Sequence, residues 1–253
     1  MLTLSLDRQA LAAYVGRQVS RLFPDSRVAG RHLADPVEQA LERLEYCFRR
    51  IALKRFGDGP RALFDHLHTD QYAMFLYWVS RAIYRAEGDL RLAAKLYALN
   101  KALHAIDVFY EVDLPEIFVF QHPVGTVLGR ATFSNYLLVY QHCTVGSSRP
   151  GAYPTLGEGV VMYAGSAILG RCVTGANCWL AAGAQAIDAD LPANSVVFGQ
   201  SPGSLLIRPT WRNVIEQFFS RQATHVQRGP PGPARAASGS GGREAPHRHE
   251  VAS

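Results

Sequence analysis

The chain has 253 residues, of which 48% are hydrophobic and 19% are charged, so it can bury the core of one large domain or two small ones. No run of 18 apolar residues occurs, which predicts that no segment spans a membrane. Four cysteines lack the CxxC or CxxH spacing of metal sites, and Asp7 and Arg8 interrupt any secretory leader. We therefore expect a protein of the reducing cytoplasm without disulfides or a metal site.

The net charge of +5 does not indicate a nucleic-acid partner. Residues 222–253 contain four arginines and two glutamates and so account for +2, which leaves +3 for the rest of the chain. A surplus of that size is ordinary for a protein surface, so nucleic-acid binding is not favoured.

Residues 1–112 are rich in leucine, alanine, arginine and aromatic residues at helical spacing, which predicts an α-helical domain. Asp35-Pro36, Thr69-Asp70 and Gly88-Asp89 predict three helix starts, with Asp35 and Asp70 as N-cap residues. The third helix is predicted to turn one apolar face inward, made of Leu92, Leu96, Leu99 and Leu103.

Residues 113–209 carry a six-residue repeat instead. Apolar or small residues recur at every sixth position in two frames: Val127, Phe133, Val139 and Val145, then Leu156, Met162, Ile168, Thr174, Leu180 and Ala186. Small residues follow four positions later and are expected to fill the interior, among them Cys143, Cys172 and Cys178. Each hexad supplies one strand and one turn, and three hexads close a triangular coil. The pattern predicts a parallel β-helix with an extruded loop at residues 147–155.

The chain after the repeats divides into two parts. Residues 210–221 predict a C-terminal helix with an apolar side made of Trp211, Val214, Ile215, Phe218 and Phe219. Residues 222–253 are rich in Pro, Gly, Ser and Ala and predict a disordered tail. The expected fold class is thus α + β, with a helical domain, a parallel β-helix and a tail.

Four segments of the repeat region resemble the serine O-acetyltransferase family of left-handed β-helix acyltransferases: His122-Pro-Val-Gly-Thr-Val-Leu-Gly129, Gln141-His-Cys-Thr-Val-Gly146, Gly157–Gly170 and Gly199-Gln-Ser-Pro202. The resemblance covers roughly residues 60–209. It implies a left-handed β-helix, direct acetyl transfer from acetyl-CoA to L-serine or a serine-like small molecule, and His122 as the general base. A neutral imidazole has a pKa of about 6.5, which suits it to take a hydroxyl proton at cellular pH.

The acceptor side of the implied site departs from the family pattern. Gln121 stands where the family has an aspartate, and Ala152-Tyr153 replaces an arginine–histidine pair. The carboxylate that orients the base precedes it by about fifteen residues in the family, whereas Asp113 precedes His122 by only nine. Asp113 is nevertheless the expected orienting group, with Glu116 as an alternative. The remaining candidates for acceptor contacts are His142, Arg149, Tyr153 and Asp70.

The resemblance also implies a coenzyme groove and an assembly. The groove for acetyl-CoA is expected beside Tyr163, Ala164, Gly165, Ala182 and Gly183, with Arg208 placed to meet a phosphate. Family members imply a homotrimer or a dimer of trimers with the site between subunits. A C-terminal isoleucine mediates the family's cysteine-synthase complex, and because the chain ends in Ser253 we expect no such complex.

Three alternatives stay open on the sequence. The acceptor could be a sugar hydroxyl, a sugar amine or another amino acid, because the acceptor side is altered. A γ-carbonic anhydrase has the same coil but needs three zinc histidines, and only His122 and His142 lie on these coils, at different hexad positions. The third alternative is a trimeric scaffold without turnover.

Overall fold

Helices dominate the first part of the chain and short strands the second. The computed structural model describes residues 1–25, 33–57 and 61–220. The helices of these residues are α1 Arg8–Leu22, α2 Ala34–Phe48, α3 Thr69–Arg85, α4 Leu90–His104 and α5 Val214–Phe218. None of them combines the length and the apolar character that a bilayer span needs.

The helix starts are partly those expected from the sequence. The Asp89 carboxylate accepts from the Arg91 N–H at 2.9 Å, so α4 begins as predicted. Asp35 is not the N-cap of α2, because the helix already begins at Ala34 and Asp35 lies in its first turn. Asp70 is not the N-cap of α3 either, since His68 occupies that position and the Asp70 side chain accepts from a backbone N–H outside the helix.

The second part of the chain is a parallel β-helix. Its strands are β3 Phe118–Phe120, β4 Val127–Leu128, β5 Thr132–Phe133, β6 Leu137–Val139, β7 Thr144–Gly146, β8 Thr155–Leu156, β9 Val160–Met162, β10 Ala167–Leu169, β11 Cys178–Leu180, β12 Gln185–Ile187, β13 Ser195–Phe198 and β14 Leu206–Pro209. They form three faces in the orders β14-β13-β11-β9-β6-β3, β12-β10-β7-β4 and β5-β8. All of these neighbours are parallel except β13 and β14. Two further strands, β1 Leu2–Leu4 and β2 Ala62–Phe64, pair among the helices; they precede β3 in the chain.

The interior follows the predicted repeat in its later frame. Its six aliphatic or small positions, Leu156 to Ala186, are all buried, and so are the three repeat cysteines. The earlier frame is wrong at its start, because Val127 is 40% exposed and Leu128 is buried instead. Leu128 pairs with Val145, 17 residues later, and three full hexads would need 18. The missing residue shifts the inward position by one.

Helices cover the outer side of the largest face. The Trp179 ring of β11 packs against Phe218 of α5 at 5.7 Å, and Trp78 of α3 packs against Phe118 of β3 at 5.9 Å. The predicted C-terminal helix is shorter than 210–221, and Trp211 does not join its apolar side but is 91% exposed. The predicted tail, residues 222–253, lies outside the described residues.

Candidate active site

The turn after β3 is longer than the next turns at the same corner of the β-helix. From Phe120 to the next interior residue, Thr126, the chain takes six steps. The corresponding distance is four steps in the coils that follow: Val139 to Cys143, Met162 to Ser166 and Leu180 to Ala184. The two additional residues create a projection, which we define as residues 121–125. At its tip the exposed His122 has a φ of 50°, in the left-handed region that few residues other than glycine adopt.

Hydrogen bonds hold the projection against the helical domain. The Val124 N–H donates to the His122 carbonyl at 2.7 Å, and the Gly125 N–H donates to the Ala105 carbonyl, just after α4, at 2.9 Å. The buried Asp70 carboxylate accepts from the His122 N–H at 3.2 Å. One carboxylate from α3 thus meets the backbone of the residue expected to act as base.

A cavity of about 350 Å³ lies between the projection and the ends of α3 and α4. Asp70, Leu103, His104, His122 and Val124 are among its lining residues. Leu103 is 44% exposed here, so its predicted place on the inward face of α4 is wrong. The lining combines polar and apolar side chains, as in many binding sites for small molecules.

His104 also lines the cavity, although it is not among the site residues expected from the sequence, and its pKa is shifted. Burial lowers the pKa of its imidazole to about 4, against a smaller raising effect from Asn100. The ring is therefore neutral at pH 7. Its only sequence signal was a polar residue four positions after Asn100 at a helix end, and nothing in the helical period indicates that this end meets His122.

His142 packs directly on the projection from the next coil. Its N–H donates to the Val124 carbonyl at 2.9 Å. Gly125 has a φ of +73°, and a Cβ at that position would overlap the His142 ring. The neighbouring Gln141 has a buried side-chain oxygen without a partner among the described residues, and the half-buried Gln121 donates its N–H to Val139. The structure thus brings His122, Gln121 and His142 together.

Asp113 lies in a different environment. It pairs with the buried Arg81 and with Arg85, and it lines a separate cavity of about 700 Å³ together with Glu116 and Glu158. Glu116 itself pairs with Arg43 at 2.5 Å. Neither carboxylate contacts His122 in the described part of the chain. Asp113 precedes β3, and its two salt bridges to α3 account for its position away from His122.

The extruded loop lies at another corner of the β-helix. The Asp188 carboxylate accepts from the Arg171 N–H at 2.8 Å and from the Ser148 hydroxyl at 3.2 Å, and these bonds hold the pKa of Asp188 below its usual value. The Arg130 guanidinium lies 5.4 Å from the centre of the Tyr153 ring. Tyr153 and the exposed Arg149 do not line the His122 cavity of their own chain.

Most residues expected to bind the coenzyme lie in later turns at the same corner of the β-helix as the projection. The Gly165 N–H donates to Gln141, and the Gly183 N–H donates to Ala164, each at 2.9 Å, so these turns stack on the His142 turn. Ala182 and Gly183 are exposed, whereas Tyr163, Ala164 and Gly165 are half-buried. Arg208 is exposed on β14, opposite Val196 of β13. The small residues form an open strip along one edge.

Within residues 1–25, 33–57 and 61–220, no three His, Cys, Asp or Glu side chains are grouped as a metal site would require. The fold and the site define a class: an α-helical domain followed by a parallel β-helix, with a histidine-bearing turn in the first coil. No family model matches the chain.

Comparisons with known proteins point to one kind of protein in that class. Serine acetyltransferase 2 of Arabidopsis thaliana is 30% identical over 166 residues, which are 62% of this chain and 50% of that protein. The chain spans about half the length of the curated relatives it matches. The chain is therefore similar in sequence to serine acetyltransferases, as its motifs predicted.

Solved structures show the same fold. The serine acetyltransferase of Neisseria gonorrhoeae has a TM-score of 0.63 at 19% identity, covering 83% of this chain and 85% of that one. The Brucella abortus serine acetyltransferase in complex with coenzyme A has a TM-score of 0.61 at 16% identity, covering 83% and 84%. These matches confirm the predicted order of a helical domain followed by a parallel β-helix.

Proposed function

We propose that the chain is an acetyl-CoA-dependent O-acetyltransferase that acts on L-serine or a serine-like small molecule, with His122 as general base. The observation that carries the proposal is the projection of residues 121–125, which presents His122 at a small cavity beside the buried Asp70. The similarity to serine acetyltransferases in sequence and fold, including one with bound coenzyme A, supports the same activity.

The reaction needs only one transfer step. The acceptor hydroxyl attacks the thioester carbonyl while a nitrogen of His122 takes the hydroxyl proton, and a tetrahedral oxyanion forms. The oxyanion then collapses, the C–S bond breaks, and the coenzyme leaves as a thiol after taking the proton from the imidazolium. No cysteine nucleophile is required, which agrees with the burial of all four cysteines. Burial raises the pKa of the thiols of Cys47, Cys143, Cys172 and Cys178, which also disfavours a thiolate.

The cavity supports a small, positively charged acceptor. A buried carboxylate needs a partner, and the ammonium group of an amino alcohol would give Asp70 a charge-assisted hydrogen bond. A volume of about 350 Å³ suits a molecule of the size of serine. A sugar or another amino acid is the second candidate, favoured by the neutral Gln121 and by Tyr153 at the positions where the resemblance departs.

The acyl donor is proposed to lie along the strip of small residues from Tyr163 to Gly183. Side chains as small as Ala164 and Ala182 leave room for an extended pantetheine arm against the coil. The exposed Arg208 guanidinium is available for a phosphate of the coenzyme.

The site is proposed to be completed by a second copy of the chain in a homotrimer or a pair of trimers. Arg149 and Tyr153 lie at another corner than His122 and can reach an acceptor there only from a neighbouring subunit. Val124, Val127 and Val173 are each at least 40% exposed, which gives the β-helix apolar surface to bury against a copy. Light scattering of the purified protein is expected to give three or six times the chain mass, and a stable monomer would contradict this assembly.

The activity is tested by the release of coenzyme A thiol from acetyl-CoA, followed with a thiol reagent. Thiol release is measured with L-serine, with a simple amino alcohol, with an amino sugar and with no acceptor. We expect L-serine or the amino alcohol to accelerate release well above the rate without acceptor. Acceleration by the amino sugar alone would favour the second candidate, and no acceleration by any acceptor would contradict the transferase proposal.

A further inference from the structure

The His122 cavity has a second imidazole in its wall, to which the proposed reaction assigns no role. His104 is the last residue of α4, and the residue is 8% exposed. The ring packs edge-on against Tyr72 at 5.8 Å and lines the cavity together with Asp70 and His122. A histidine in this position needs either a structural or a ligand-binding explanation.

Hydrogen bonds fix the tautomer of His104. The Asn100 amide nitrogen donates to the Ala73 carbonyl at 2.9 Å, which orients the amide. Its oxygen therefore faces His104 Nδ1, at 2.8 Å, and can only accept. Nδ1 thus carries the proton, and Nε2 on the other side of the ring carries a lone pair. Among the described residues nothing is bonded to Nε2, and the atom is not sealed from solvent.

The imidazole of His104 is neutral near pH 7, so its Nε2 keeps a free lone pair. Among the described residues, Asp70 of α3 and His122 of the projection line the same cavity as the ring, Tyr72 of α3 packs on it, and Lys101 lies three positions earlier on α4. Burial lowers the pKa of the imidazole to about 4, against a smaller raising effect of the hydrogen bond with Asn100. At pH 7 the side chain is therefore an acceptor of hydrogen bonds at Nε2, and not a cation.

We propose that Nε2 of His104 accepts a hydrogen bond from the ammonium or hydroxyl group of the acceptor, and so selects acceptors with a second donor beside the acetylated hydroxyl. The inference rests on the proposed function of this cavity. An ammonium group can donate to the Asp70 carboxylate and to the His104 lone pair at once. A plain alcohol offers no second donor to the His104 lone pair or to the Asp70 carboxylate, and a site built to hydrogen-bond such a donor discriminates strongly against a molecule that lacks it. His104 is in this role a specificity-determining residue.

Two substitutions separate this role from a structural one. His104→Asn places an amide near Nδ1, so it keeps the contact with Asn100 and removes the acceptor at Nε2. His104→Gln places an amide oxygen near Nε2, so it keeps the acceptor and weakens the contact with Asn100. We expect His104→Asn to raise the KM for L-serine about tenfold, the effect of one hydrogen bond, and His104→Gln to restore most of it. The KM for acetyl-CoA should stay unchanged in both variants.

A structural role predicts the opposite order. His104→Gln would then lower the melting temperature and activity more than His104→Asn does, and this order would overturn the inference. His66→Asn is the matched control, because His66 bonds to Ser5 in another part of the helical domain and should leave both KM values unchanged.

A second readout does not depend on turnover. The ¹⁵N resonance of His104 Nε2, recorded in the full chain, should be that of an unprotonated nitrogen and should move when L-serine is added. A shift without any serine acetylation would support the inference and contradict the proposed function. Normal acetylation with an unmoved resonance would overturn the inference alone, and the absence of both would overturn both.

Discussion

The turns at one corner of the β-helix differ in length and in content. In the first coil the projection of residues 121–125 carries His122, and it rests on Asp70 and on the end of α4. In the later coils the turns around Gly165 and Gly183 are two residues shorter and, apart from Tyr163, carry only small side chains. The backbone hydrogen bonds run through all of them in one column.

The same repeat can therefore form a flat edge for an extended ligand and a projection that carries a reactive side chain. A regular turn keeps the edge of the β-helix flat and open, which suits an extended ligand. An insertion of two residues lifts one side chain out of the column and needs support from elsewhere, here from α3 and α4. Reactive groups are commonly presented on such loops above a rigid scaffold. Substitutions in the projection and in the flat turns should therefore change different kinetic constants.

The largest effect is expected at the tip of the projection. His122→Ala should lower kcat about 10²–10⁴-fold, because the acceptor hydroxyl loses its general base. The KM for acetyl-CoA should change little, since the base faces the acceptor. His142→Ala is the comparison variant and should act mainly on the acceptor KM. A His122→Ala enzyme that keeps most of its turnover would contradict the role of the projection.

A bulky side chain on a flat turn should act on the coenzyme instead. Ala182→Trp is expected to fill the open strip and raise the KM for acetyl-CoA at least about tenfold, equivalent to about 1.4 kcal/mol of lost binding. Ala176→Trp is the matched control at an exposed position of another corner. Steady-state kinetics of both variants check this, and equal KM values would show that the groove lies elsewhere.

The support beneath the projection offers a third test. Asp70→Asn keeps an oxygen for the His122 N–H but removes the negative charge. We expect the KM for L-serine to rise about tenfold, since hydrogen bonds to charged groups contribute about 1.5–3 kcal/mol. Thermal unfolding should change little. An unchanged KM would mean that Asp70 only holds the backbone of the projection.

Two glycines at this corner allow a matched measurement of packing. Gly125 and Gly183 both have a φ of +73°, so Ala at either position costs roughly 1–2 kcal/mol of strain. At Gly125 the added Cβ also overlaps His142, whereas at Gly183 no described atom lies within 4 Å. Gly125→Ala should therefore lower the free energy of unfolding by about 1 kcal/mol more than Gly183→Ala. Equal losses in denaturant unfolding would contradict the packing of His142 on the projection.

The smallest effect on turnover is expected at Asp113. The resemblance to the family makes it the orienting carboxylate, but it pairs with Arg81 and lines the other cavity. Asp113→Asn should thus leave kcat within about twofold and lower the melting temperature, because the buried Arg81 loses its counter-charge. A loss of about 10²-fold in kcat would show that Asp113 acts on His122 after all.

The sequence predicted the parts of the fold that depend on local periodicity. The six-residue spacing holds without a break from Leu156 to Ala186, because each strand of a triangular coil turns an apolar or small side chain into the interior at the same place. The sequence does not predict the shift of the inward position to Leu128. This coil is one residue shorter than three hexads, and Val127, which is also aliphatic, still occupies the expected position of the six-residue repeat. Trp211 was assigned to the apolar side of a helix that begins only at Val214.

The sequence predicts only the part of the candidate site that lies within a recognisable motif. The segment around His122 is specific enough to indicate a base by resemblance. The hydrogen bond of Asp70 to His122 and the cavity that His104 shares with His122 bring together residues 52 and 18 positions apart in the chain, and no local pattern encodes them. The sequence predicts Asp70 as an N-cap residue and as an acceptor contact, whereas its hydrogen bond to the projection follows from how α3 packs against the first coil.

A crystal structure of the protein with L-serine bound tests most directly whether acetyl transfer takes place at His122. We expect the serine hydroxyl within about 2.6–3.2 Å of a ring nitrogen of His122, the range for proton transfer to a general base, and its ammonium group beside Asp70. Serine bound instead in the cavity of Asp113 and Glu116, away from the projection, would contradict the central claim that acetyl transfer takes place at His122.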